Sequence, residues 1–198
     1  MGDKHCESTL GLLGRGPVIH MSYSLIIGGA KSGKSRYAEE RAYELSMQTG
    51  WPVTYLATAT VTDPEMANRI AQHRERRPSS WVTIEEALNI RDWLKEPHDP
   101  TVVLLDCLSL LLNNWMFSEP EKLWLTRQNQ FYDALVAFPY PIIVVSNEVG
   151  QGIVPDNRVA RQYRDQLGRF NQQLAATADP AIFMVAGLPV DLRKMGPA

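Results

Sequence analysis

From Tyr23 onward, short unbroken apolar runs alternate with longer stretches in which apolar residues recur every three or four positions. The unbroken runs are YSLII (23–27), PVTYLATA (52–59), TVVLLD (101–106), PIIVVSNE (141–148) and AIFMVAG (181–187), with a shorter one at WVTI (81–84). Runs of this length, bounded by glycine or polar residues, predict strands buried on both faces. Between them the spacing predicts helices over 33–48, 63–77, about 85–94, about 107–117, about 120–137 and about 157–178. In the first helix Tyr37, Ala38, Ala42 and Leu45 face inward, and Gly50 stops it. In the second, Asp63 is placed to cap the N-terminus, Pro64 suits the first turn and Glu65 favours the positive end of the helix. Strands alternating with helices predict an α/β fold, a mainly parallel sheet with helices on both faces.

The 198 residues, 44% of them hydrophobic, suffice for one well-buried core. Residues 1–20 have no strand or helix period and contain four glycines. They are expected to form a disordered or loosely attached extension, with His5 and His20 incidental, ahead of a single domain over 21–198. A net charge of −2 argues against a general nucleic-acid binder. Cys6 and Cys107 sit in unlike contexts, so neither a disulfide framework nor a zinc site is indicated, and Cys107 reads as a small buried hydrophobe. No apolar run approaches the ~18 residues a membrane span needs, and residues 1–20 lack a signal-peptide pattern. The expected location is therefore cytoplasmic, without membrane insertion.

The strongest chemical signal is GGAKSGKS, residues 28–35, directly after a predicted strand and at the mouth of a predicted helix. It satisfies the G-x-x-x-x-G-K-[ST] spacing of a phosphate loop. Gly28, Gly29 and Gly33 let the backbone turn its N–H groups toward phosphate oxygens, Lys34 reaches the β- and γ-phosphates, and the Ser35 hydroxyl can ligate Mg²⁺. Lys31 adds a further cation. Such a loop needs a carboxylate on the metal side at the end of a neighbouring apolar strand, and VVLLD supplies Asp106. With Ala57–Ala59 and the loop from Ser146, four strand ends are expected to converge on one site. Asn147 and Glu148 open that last loop and are candidates to face the nucleotide or the acceptor, or simply to belong to a surface loop. A kinase, a switch-type NTPase and a nucleotidyltransferase would all share these parts.

His73 bears on that choice. Met66, Ile70, His73 and Arg77 are spaced four, three and four residues apart, so His73 continues the apolar stripe of its helix and faces the protein. Adjacent arginines and partial burial both favour the neutral imidazole, which is the nucleophilic form. Arg74, Arg76 and Arg77 could balance the charge of a phosphate under attack. On these residues alone, a packed helix histidine on a basic, solvated helix is the better reading.

Taken together, the chain resembles the bifunctional adenosylcobinamide kinase/adenosylcobinamide-phosphate guanylyltransferases of cobalamin biosynthesis. The resemblance runs in order through GGAKSGKS, ATA (57–59), DPEMANRIAQHRERRPSSW with Glu85 beyond it, DCLSLLLNN (106–114), SNEVGQGIVPDNRVARQYRDQLGRFNQQLAATAD (146–179) and AGLP (186–189). It implies a phosphate-loop NTPase-type (RecA-like) fold assembling as a homotrimer. It further implies phosphorylation of adenosylcobinamide with ATP or GTP, followed by GMP transfer from GTP through a guanylylated histidine that falls on His73. The implied nucleotide contacts are Gly28, Gly29, Ala30, Lys31, Ser32, Gly33, Lys34, Ser35, Ala57, Thr58, Ala59, Arg74, Glu75, Arg76, Arg77, Glu85 and Asp106, with Mg²⁺ at Ser35 and Asp106. Three features depart from the pattern: Lys31 stands where many members have arginine, Asp106 where some have glutamate, and residues 1–20 have no counterpart.

Overall fold

The computed structural model describes residues 23–195 apart from 62 and 76. The expectations for residues 1–20 and for Arg76 lie outside the described residues. In chain order the elements are β1 (Ser24–Gly28), α1 (Lys34–Thr49), β2 (Val53–Ala57), α2 (Pro64–Glu75), β3 (Val82–Glu85), α3 (Ile90–Lys95), β4 (Val102–Asp106), α4 (Leu108–Ser118), α5 (Glu121–Ala137), β5 (Ile142–Asn147), α6 (Arg158–Thr177), β6 (Ala181–Val185) and β7 (Leu188–Asp191). The strands form one sheet in the order β3-β2-β4-β5-β1-β6-β7, parallel except for β7, which pairs antiparallel with β6. This is the mainly parallel α/β sheet that the apolar runs predict.

Both faces of the sheet are covered, which is why its strands read as unbroken apolar runs. Residues at alternate positions go to opposite sides. Ile26, Val53, Tyr55, Val102, Leu104, Ile143 and Val145 pack with Ala38 and Ala42 of α1. Leu25, Ile27, Leu56, Val103, Leu105, Ile142 and Val144 pack with residues of α3, α4, α5 and α6, including Trp115, Phe131 and Phe170. Among the described residues, helix α2 contributes to neither cluster.

The helix-end signals act as the residue types require. Gly50 closes α1 in a left-handed conformation (φ 72°) and donates to Ser46 O. The Asn157 side chain accepts from Val159 N and Ala160 N at the start of α6, and Asp63 Oδ1 accepts from Met66 N at 2.8 Å.

Three features depart from the expected pattern. The helix expected at about 85–94 is confined to Ile90–Lys95, because Glu86 Oε1 accepts from both Leu88 N and Asn89 N and ties those residues into a turn. Strand β7 is only four residues long and contains Pro189; it is an edge strand, where proline is tolerated. It follows β6 through a two-residue turn, Ala186–Gly187, with φ of 51° and 83°. Finally, Asp106 does not end a strand neighbouring the phosphate loop. β5 lies between β4 and β1, an ordering that no local pattern encodes.

Candidate active site

The carboxyl ends of β1, β2, β4 and β5 open into a cleft of about 390 Å³, with α2 as its far wall. Parallel sheets place ligand sites at this edge because loops and helix N-termini collect there. On β4 the face covered by α1 carries Val102, Leu104 and then, one step beyond the core, Asp106. On β2 the same alternation delivers Tyr55 and Ala57. Asn147, paired in register with Gly28, ends the intervening strand β5 and also lines the cleft.

The phosphate loop is tightly built. Gly28 allows close approach: a Cβ there would lie 2.5 Å from Ser32 Oγ and 3.0 Å from Met184 Cβ and O. Gly33 adopts φ 94°, a region that L residues rarely occupy. The β6–β7 turn buttresses the loop from outside, with Gly187 N donating to Ser32 O at 3.1 Å. Lys34 is buried, and its Nζ donates to Gly29 O at 3.0 Å, which holds the ammonium over the loop. Ser32 Oγ is a buried polar atom with no protein partner. Buried polar groups are costly unless paired, and a phosphate oxygen would supply that partner.

On the opposite wall, α2 turns Met66, Ile70 and His73 into the cleft, and Arg77, just past its end, joins them. The stripe does face the protein, but it lines the cleft and not the hydrophobic core. His73 Nδ1 stands 3.9 Å from Asp106 Oδ2, with the two side chains 27% and 14% exposed. Tyr55 OH donates to the same oxygen at 2.6 Å. The Arg77 guanidinium lies on the Tyr55 ring, 3.3 Å from its centroid, and its Nη1 is 3.5 Å from Thr83 Oγ1. Arg77 Nε is buried without a partner, a second donor suited to an anion. Arg74 reaches Glu85, with Nη1 and Oε1 4.0 Å apart.

Burial pushes the Tyr55 phenol far above its ordinary value, and the Asp106 charge pushes it further, so it remains a donor. Burial also raises Cys107, to about 11, with Asp106 adding to the effect. The Cys107 thiol therefore stays protonated and unreactive although it borders the cleft. That agrees with its reading as a buried hydrophobe.

Of the sequence candidates, Lys34, Ser35, Ala57, Ala59, His73, Arg74, Arg77, Glu85 and Asp106 line this one cleft. Thr58 is turned inward: its hydroxyl donates to Cys107 O at 2.8 Å and accepts from Cys107 N at 2.9 Å, which shapes the strand ends beneath the site. Glu75 is exposed and is not among the lining residues. Gly28–Gly33 form the loop at the mouth. Asn147 faces the cleft and is held by Ser109 Oγ at 2.8 Å, whereas the Glu148 carboxylate accepts from Gly150 N. Sequence reasoning missed Tyr55, Thr60, Glu86 and Leu110. Tyr55 sits in an ordinary strand pattern, and nothing local marks its hydroxyl as part of a site.

A model of the CobU family, described as cobinamide kinase / cobinamide phosphate guanyltransferase, matches residues 24–192. The chain belongs to this family. The bifunctional adenosylcobalamin biosynthesis protein CobP of Pseudomonas aeruginosa is 42% identical over 171 residues, covering 85% of this chain and 96% of that one. The protein CobU of Escherichia coli, with the same description, is 38% identical over 183 residues, covering 85% and 98%. Among solved structures, the flagellar accessory protein FlaH from Methanocaldococcus jannaschii is 17% identical with a TM-score of 0.46, covering 82% of this chain and 70% of that chain. Members of this family are described as a kinase and a guanyltransferase, which use nucleotide substrates. Ser35 and Asp106, a hydroxyl and a carboxylate at the floor of the cleft, are the oxygen donors that suit Mg²⁺ arriving with phosphate. The Tyr55 hydrogen bond and the His73 contact of Asp106 both fall on Oδ2. Among the described residues no helix is long and apolar enough to cross a membrane.

Proposed function

We propose that this protein phosphorylates the aminopropanol hydroxyl of adenosylcobinamide with ATP or GTP. It then transfers GMP from GTP to the resulting phosphate, with His73 as the covalent carrier. The observation that supports this best is that the phosphate loop's lysine, Asp106 and His73 line one cleft from opposite walls.

In phosphoryl transfer, the loop amides and Lys34 hold the nucleotide phosphates and stabilise charge that develops on the transferred group. Ser35 and Asp106 would hold Mg²⁺, which when bound neutralises phosphate charge. No protein nucleophile is required: the corrinoid hydroxyl attacks the γ-phosphorus, and the bond to the nucleoside diphosphate breaks.

Guanylyl transfer uses the other wall. His73 Nδ1 faces Asp106 Oδ2, an arrangement that favours a proton on Nδ1 and a lone pair on Nε2. Nε2 attacks the α-phosphorus of GTP, an N–P bond forms and pyrophosphate leaves. A phosphate oxygen of cobinamide phosphate then attacks the same phosphorus, the N–P bond breaks and neutral His73 is restored. Arg74 and Arg77 balance the charge of the phosphate under attack. Splitting the transfer keeps two polyanions from meeting in one step.

Two substitutions separate the halves. Lys34→Ala should damage both, since each needs a bound nucleotide. His73→Ala should abolish guanylyl transfer and retain phosphorylation of the cobinamide alcohol. Loss of both activities in a folded His73→Ala protein would assign His73 to the site in general and not to covalent transfer. We further propose a homotrimer acting in the cytoplasm, where ATP and GTP are supplied. The exposed Ile153 and Val154 give apolar surface for such an assembly, and light scattering should report three times the 22.3 kDa chain.

A further inference from the structure

Tyr55 belongs to the buried cluster on the α1 face and is 2% exposed, yet both its polar and its aromatic parts are engaged in the cleft. Its hydroxyl holds Asp106 Oδ2, and its ring carries the Arg77 guanidinium. Among the described residues, none of helix α2 belongs to either buried cluster, and Pro64, Glu65, Asn68, Arg74 and Glu75 are exposed. Arg77 follows its last turn, four residues beyond His73. A guanidinium pressed on a desolvated aromatic face is a firm contact, so the stack fixes the end of α2 that carries the histidine. The same tyrosine also fixes the carboxylate oxygen that His73 faces at 3.9 Å.

We propose that Tyr55 is a positioning residue for guanylyl transfer: through Arg77 it sets where α2 stands, and through its hydroxyl it sets the Asp106 oxygen that orients the His73 imidazole. The proposal rests on the reading of His73 as nucleophile. Phosphoryl transfer depends far less on this strut, because Lys34 and the loop amides are carried by β1 and α1. Removing the strut therefore separates the two half-reactions.

The test uses the full chain with Mg²⁺ and GTP. Single-turnover formation of the GMP adduct is followed by mass spectrometry, and phosphorylation of cobinamide is measured in parallel. Tyr55→Leu removes ring and hydroxyl, and should slow adduct formation by at least about thirtyfold while phosphorylation falls less than about fivefold. Tyr55→Phe keeps the ring and should slow the adduct by only a few-fold. Arg77→Leu removes the same stack from the α2 side and leaves the buried Tyr55 ring in place. Arg77→Leu also removes a charge that faces the phosphate, so the double variant should lose more than Tyr55→Leu but less than the product of the two single losses, because one contact is shared. A readout independent of turnover is the nitrogen chemical shifts of His73 at alkaline pH, assigned with His73→Ala. Wild type should show the Nδ1–H tautomer, and Tyr55→Phe a mixture. Equal losses in both half-reactions, wild-type adduct rates in Tyr55→Leu, or an unchanged tautomer in Tyr55→Phe would overturn the proposal. If wild type itself forms no adduct, the reading of His73 fails first.

Discussion

Replacing Gly28 by alanine adds one methyl group at the crowded start of the phosphate loop. The φ of Gly28 is unexceptional, so the cost is steric and not conformational. A Cβ there lies 2.5 Å from Ser32 Oγ and 3.0 Å from Met184 Cβ and Met184 O. The Ser32 hydroxyl can swing away, but Met184 belongs to β6, which is hydrogen-bonded to β1 in register with Gly28. Inserting a methylene-sized group into such packing costs about 1–3 kcal/mol. For a chain of this size that corresponds to a fall in thermal midpoint of roughly 2–12 °C. Displacing Ser32 also moves loop amides, and nucleotide affinity measured by calorimetry should weaken about tenfold, ~1.4 kcal/mol. The decisive variant is Gly28→Ala with Ser32→Ala. Removing Oγ relieves the shortest contact, so the double variant should recover at least ~0.5 kcal/mol of stability relative to additivity. Full additivity, or a Gly28→Ala protein with unchanged midpoint and affinity, would refute the argument that close approach dictates glycine.

Three other outcomes are expected. Arg193 caps the C-terminus of α6 by donating to Ala175 O, Ala176 O and Ala178 O at 2.6–3.0 Å; Arg193→Ala should lower stability in denaturant by about 1–2 kcal/mol without changing either half-reaction. Burial raises Tyr23 from 10.0 to about 12 in the folded chain, where its hydroxyl donates to Leu174 O. The unfolded chain loses that proton first, so this contribution is intact below pH 10 and is lost as pH rises from 10 to 12; Tyr23→Phe should flatten the alkaline fall in stability over that window. The family match begins at residue 24, so removal of residues 1–20 should leave the thermal midpoint and both activities intact, and a loss of either would move the working boundary toward the N-terminus.

Features set by neighbours in sequence were legible in advance; features set by neighbours in space were not. Gly50 and Asp63 end or start helices through contacts within a few residues. The phosphate loop was likewise legible from its own strand, turn and helix. Asp106 was legible as a strand-end carboxylate, but its separation from the loop by β5 depends on strand order, which local patterns do not carry. The α2 stripe showed that His73 faces inward, and only the fold shows that inward here means a cleft. Tyr55 was illegible for the same reason: its alternation assigns it to the core, where it does lie, while its hydroxyl and ring act on residues 51 and 22 positions away in sequence. Strand β7 was hidden by Pro189, which only an edge position permits.

The central claim is that His73 carries GMP. The protein is incubated with Mg²⁺ and GTP labelled at the α-phosphate, and in parallel with GTP labelled at the γ-phosphate. Only the α-label should remain on the polypeptide, in a bond that breaks in acid and survives mild base as a phosphoramidate does, and peptide mapping should place it at His73. No retained α-label in a preparation that completes guanylyl transfer, or an adduct on Lys31 or Lys34, would contradict the account.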